Sequence, residues 1–111
     1  MSFSLCSLYR GEQLLGKIRN AEVEEMFWFA GIFEPVPAFA EVKELFAQAR
    51  APENRDKLDD LWNQVVAKGP LRVESDDKQC VWNNVMIHIF NDGYCRWREG
   101  FLPKRMRLGS Q

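Results

Sequence analysis

The chain has 111 residues, 46% hydrophobic and 28% charged, with a net charge of −1 and a mean hydropathy of −0.37. That length suits one domain, and the charge excludes a nucleic-acid binder that relies on overall positive potential. No apolar run approaches the ~20 residues a membrane-spanning helix needs.

Phe3 to Tyr9 alternates, with Phe3, Leu5, Ser7 and Tyr9 on one face, and Gln13 to Arg19 reads as its hairpin partner. Gly11 supplies the turn. Setting Tyr9 opposite Leu14 and Leu5 opposite Ile18 collects apolar residues on one face. Asn20 to Glu25 reads as a polar link. Met26 to Phe33 is apolar on both sides: Met26, Trp28, Ala30 and Ile32 on one, Phe27, Phe29, Gly31 and Phe33 on the other. Such a run predicts an inner strand. Pro35 and Pro37 have no N–H to give and end it.

Pro37 also suits the first turn of a helix. Across 38–50, Phe39, Val42, Leu45, Phe46 and Ala49 form one stripe. After Pro52, Asn54 is the expected N-cap of a second helix with the stripe Leu58, Leu61, Trp62, Val65 and Val66. Gly69 and Pro70 stop it. Leu71 to Glu74 starts a second group of strands, Ser75 to Lys78 is a turn, and a strand is expected from Cys80 to Phe90. Asn91-Asp92-Gly93 fits a hairpin loop with Gly93 left-handed, and Tyr94 to Glu99 returns.

The order β-β-β-α-α-β-β-β predicts an α+β domain: a mostly antiparallel sheet of about six strands with two helices packed on one face. Residues 1–100 form this single domain. Residues 101–111 are expected to be a basic, partly mobile tail with Lys104, Arg105 and Arg107.

Trp28, Gly31, Phe33, Glu34, Pro35, Pro37, Phe39, Val42, Leu45 and Phe46 describe an aromatic strand that turns a Phe-Glu-Pro corner into an amphipathic helix. In this the chain resembles a group of small bacterial α+β proteins. The resemblance extends to the early hairpin and the late strands. It implies a single bacterial α+β domain and carries over no catalytic residue.

His88 is the one histidine. With the loop at Asn91–Gly93, His88 stands opposite Arg96, and Met86, His88, Phe90, Tyr94, Arg96 and Arg98 share one face. Val85, Ile87, Ile89, Cys95 and Trp97 share the other, the core face. Cys95 therefore points away from His88, which argues against a Cys–His nucleophilic pair in this hairpin. His88, Arg96 and Arg98 are a candidate anion-binding patch, since guanidinium groups pair with carboxylate or phosphate; Lys104 and Arg105 could extend it. The competing reading is a solvent-facing polar sheet face.

No spacing suits a metal site. No phosphate-binding loop, dinucleotide fingerprint or nucleophile elbow is present. Neither catalytic residues nor a cofactor is expected. Cys6, Cys80 and Cys95 form no close pair, and the start of the chain lacks a basic, continuously apolar leader; both point to the cytoplasm.

Eight Phe, four Trp and two Tyr exceed what two helices can cover on a six-stranded sheet. Trp28, Trp82 and Tyr94 are therefore candidates for a contact surface. The expected function is a non-enzymatic protein-interaction domain, possibly homodimeric through a sheet face, with a protein partner but no nucleic acid or membrane. The alternative is a small acidic-ligand binder with a pocket between sheet and helices and an arginine for the acidic group.

Overall fold

A computed structural model describes residues 2–25 and 28–99. Met26, Phe27 and the expected tail, residues 101–111 with Lys104, Arg105 and Arg107, lie outside them. The elements are β1 (Ser2–Arg10), β2 (Gln13–Glu25), β3 (Trp28–Pro35), α1 (Lys43–Arg50), α2 (Leu58–Val66), β4 (Leu71–Ser75), β5 (Val81–Asn83), β6 (Met86–Ile89) and β7 (Tyr94–Arg98). The strands form one antiparallel sheet in the order β5-β4-β1-β2-β3-β7-β6. The α+β class, the antiparallel sheet and the element order match the sequence expectation, with seven strands in place of six.

The seventh strand comes from the run expected to be one strand from Cys80 to Phe90. It breaks at Asn84, whose φ is +52°. The first part, β5, pairs with β4 and the second part, β6, with β7. The two edges of the sheet are thus separated in the chain by Asn84 and Val85 alone. A flat seven-stranded sheet would hold its edges about 29 Å apart, at ~4.8 Å per strand. The chain from Asn83 to Met86 reaches only about 10 Å. The sheet must therefore curl until its edges approach.

Both edges are tied off. The Asn83 N–H donates to the Glu99 carboxylate at 2.8 Å, and the Val85 N–H donates to Leu71 O at 3.1 Å. The Arg50 guanidinium of α1 donates to Ile89 O at the β6 edge.

The curl needs room where strands come closest. A Cβ on Gly31 would lie 2.5 Å from Ile18 Cγ2 and 2.7 Å from Arg19 O. A Cβ on Gly16 would lie 2.5 Å from the Phe33 ring. Bulges add bend. One falls at Asn20, which has a φ of +54° and sits at a register shift between Arg19 and Glu22.

That bulge explains why Asn20 to Glu25, expected as a link, instead continues β2. Its outward residues Glu22, Val23, Glu24 and Glu25 are exposed, so the segment carries no core pattern although it pairs with β3. A second shift, between Leu8 and Tyr9, inserts Leu15 into the core at 1% exposure. Tyr9 pairs with Leu14 as expected, but beyond the shift Cys6, not Leu5, opposes Ile18.

The concave side gathers Leu8, Ile18, Phe33, Val73, Ile87, Cys95 and Trp97 into one buried cluster. Phe39, Val42, Phe46, Trp62 and Val65 of the helical segment join the same cluster. Ring contacts run Phe33–Phe39 (5.0 Å), Phe39–Phe46 (5.6 Å) and Phe46–Trp62 (5.6 Å). Both helices start later than expected. Turns of 3₁₀ helix, Pro37–Glu41 and Pro52–Lys57, precede them. Asn54 lies in the second turn and donates to Gln48 O at 3.0 Å instead of capping α2. Among the described residues no helix is long and apolar enough to cross a membrane.

Candidate functional site

The outer face of β3, β7 and β6 brings together five of the six residues singled out from sequence. His88 pairs with Arg96 and Met86 with Arg98, as the hairpin register predicted. Trp28 stacks on His88 at 6.0 Å, and the Arg96 and Arg98 guanidinium groups stand 4.7 and 5.7 Å from its ring centre. Tyr94 donates its hydroxyl to Glu24. Trp82 is not part of this cluster. It faces the concave side and packs on Phe29 at 5.1 Å and Trp97 at 6.0 Å.

This outer cluster is largely self-satisfied. Arg96 reaches Glu24 through Nε at 2.5 Å and Glu25 through Nη2 at 2.8 Å. An anion arriving at Arg96 would have to displace two carboxylates, whereas Arg98 joins no salt bridge among the described residues. Burial, then the nearby Arg96 and Arg50 cations, hold the His88 pKa below its usual 6.5. This favours an uncharged ring at neutral pH, and the ring stacks on Trp28 with 27° between the two planes.

A different site opens between α1 and the β6–β7 loop, a pocket of about 280 Å³. Lys43, Phe46, Ala47 and Arg50 line it from the helix. They stand at i, i+3, i+4 and i+7 and so share one helical face. Phe33 and Phe39 continue the aromatic floor, and Ile89, Phe90 and Gly93 form the opposite wall. Ala47 leaves the space open, because its methyl covers little between Lys43 and Arg50.

Among the described residues the pocket lining contains two cations and no carboxylate. Arg50 donates Nη1 to Ile89 O and Nη2 to Asn91 Oδ1 at 3.0 Å. Both acceptors are neutral, so its charge is not cancelled. Among the described residues neither Lys43 nor Arg50 joins a salt bridge. An apolar floor beneath uncancelled positive charge suits an apolar ligand with an acidic group. Arg50 is the one arginine among the described lining residues. Lys43 and Arg50 themselves were not singled out, because the dominant stripe of Phe39, Val42, Leu45, Phe46 and Ala49 masks the neighbouring face. The Lys-Phe-Ala-Arg spacing is the signal that could have found them.

Other reactive groups have ordinary roles. Lys17 donates to Ser7 Oγ at 2.7 Å and to Asp76 at 3.3 Å. An ammonium that donates both bonds cannot take a proton from that serine. Burial pushes the Cys6 and Cys95 thiols up to about 12, which suits packing and not nucleophilic attack. Among the described residues no three His, Cys, Asp or Glu side chains gather as metal ligands do.

Comparison with family models, with curated proteins and with solved structures finds no match. The functional reading of this fold therefore rests on the chemistry of its own sites.

Proposed function

We propose that this domain binds a small molecule with a flat apolar body and an acidic group, in the pocket between α1 and the β6–β7 loop. The observation that carries it is the pair of uncancelled cations, Lys43 and Arg50, over the Phe33, Phe39 and Phe46 rings. The proposed role is binding: the two cations hold the acidic group and the rings the apolar body. Three unpaired cysteines fit a reducing compartment such as the cytoplasm.

A thermal-shift series with apolar monocarboxylates, naphthalene-2-carboxylate first, tests this reading. A ligand at a hundred times its Kd adds about 2.7 kcal/mol of stability, which raises Tm by several degrees in a domain this size. Ala47→Leu fills the pocket without changing charge and should remove the shift. A panel with no shift, or a shift that survives Ala47→Leu, contradicts the proposal.

A second reading is contact with a protein partner or a second copy. Phe90, 40% exposed and stacked on Tyr94 at 5.8 Å, favours it, because it joins the pocket mouth to the outer face of β7. Sedimentation at rising concentration tests the homodimer, and a Phe90→Ser variant that associates as wild type does would exclude this contact.

A further inference from the structure

We propose that the ligand carries two acidic groups, one at each end of its apolar body. This rests on the pocket reading above and narrows the class of ligand to a diacid.

Lys43 and Arg50 lie seven residues apart on α1. At 1.5 Å per residue their backbones stand about 10 Å apart along the helix. Both line the pocket, and the helix surface between them is Phe46 and Ala47. The two cations are therefore rooted about two turns apart on the helix, with the apolar floor between their roots. A monoacid satisfies one end and leaves the other cation facing its apolar body. A diacid with a rigid apolar spacer satisfies both.

The ends differ in chemistry. Arg50 spends two N–H groups on Ile89 O and Asn91 Oδ1. A guanidinium has five, so three remain, held in place by the bonds already made. That end is suited to a carboxylate in fixed orientation. Lys43 is exposed and bonded to no carboxylate among the described residues. Its ammonium is a movable point charge on a flexible stem and can follow the second acid group over a range of lengths. Among the described residues the lining holds no carboxylate to repel a dianion, although the whole chain carries one more acidic than basic residue.

Calorimetric titration with naphthalene-2-carboxylate and naphthalene-2,6-dicarboxylate separates the claims. Wild-type protein should bind the diacid at least tenfold more tightly than the monoacid. Lys43→Gln should weaken the diacid at least tenfold, to about the monoacid's affinity, and weaken the monoacid far less. Lys68→Gln, which removes an exposed charge away from the pocket, should change neither. Among the described residues the Lys43 side chain joins no salt bridge, so this variant should fold as wild type does; Arg50→Gln, which also unties β6, is not needed. Equal affinity for both acids in wild type overturns the diacid inference and leaves the pocket reading standing. So does a diacid preference that Lys68→Gln weakens as much as Lys43→Gln. Failure of both acids to bind overturns both.

Discussion

The ring of Trp82 on β5 lies 5.1 Å from that of Phe29 on β3, although three strands stand between β5 and β3 in the sheet. The contact exists because the sheet curls. It covers part of the aromatic surplus that suggested an open sheet face. Phe29 is covered by Trp82 and Trp97, and Trp28, on the other side of the same strand, is covered by His88, Arg96 and Arg98.

Trp82→Ala should therefore lower stability by about 3 kcal/mol, in the range for removing a packed aromatic side chain. Trp28→Ala should cost about 1 kcal/mol, since its contacts are cation–π pairs at a partly exposed face. Urea denaturation of both variants makes the comparison. A larger loss for Trp28→Ala would place the core on the wrong side of β3.

Gly31→Ala should destabilise the domain by about 2 kcal/mol, because the new methyl would overlap Ile18 and the Arg19 carbonyl. Backbone cannot move aside there without opening the β2–β3 pairing. A variant as stable as wild type would mean that the close approach at Gly31 is not needed for the curl.

Several of these features are legible in the sequence and others are not. The β6–β7 hairpin reads directly: Ile87, Ile89, Cys95 and Trp97 alternate with polar or exposed positions, and Gly93 marks the turn with a φ of +93°. The closure does not read directly. Cys80 to Phe90 looks like one strand, and only the left-handed Asn84, which Asn tolerates at small cost, divides it between two neighbours. The far half of β2 is hidden because a bulge at Asn20 breaks its period and both of its faces are largely wet. The His88–Arg96 pairing follows from the hairpin register, whereas the place of Trp28 beside it does not, and the carboxylate partners Glu24 and Glu25 lie in a segment whose sequence reads as a link. The pocket does not read as a set of residues, because its helical face is half charged.

Stability should fall as pH drops below about 6.5 through His88. The folded state holds its pKa below 6.5 by burial and by the Arg96 and Arg50 cations. Below pH 6.5 the unfolded chain therefore binds a proton that the folded chain resists, and stability decreases with acid. Urea midpoints at pH 7.5 and 5.5 should differ more in wild type than in His88→Gln. An equal difference in the two would show that carboxylates alone set the acid response.

The thiols act at the other end of the scale. Burial raises Cys6 and Cys95 from 9.0 to about 12. Between about pH 9 and 12 the unfolded chain has lost protons that the folded chain keeps, so stability falls as pH rises. In native buffer near neutrality a thiol reagent should titrate Cys80 and leave Cys6 and Cys95 unreacted until the protein unfolds. Rapid labelling of either buried cysteine would contradict their packing.

The most direct test of the pocket is a ¹H–¹⁵N NMR titration with naphthalene-2-carboxylate. The account predicts shifts confined to the lining, with Phe39, Phe46, Ala47, Arg50 and Gly93 moving together in one saturable transition, while Trp28, Arg96 and Arg98 stay in place. Shifts that gather on the outer face of β7, or no saturable shift at millimolar ligand, would contradict it.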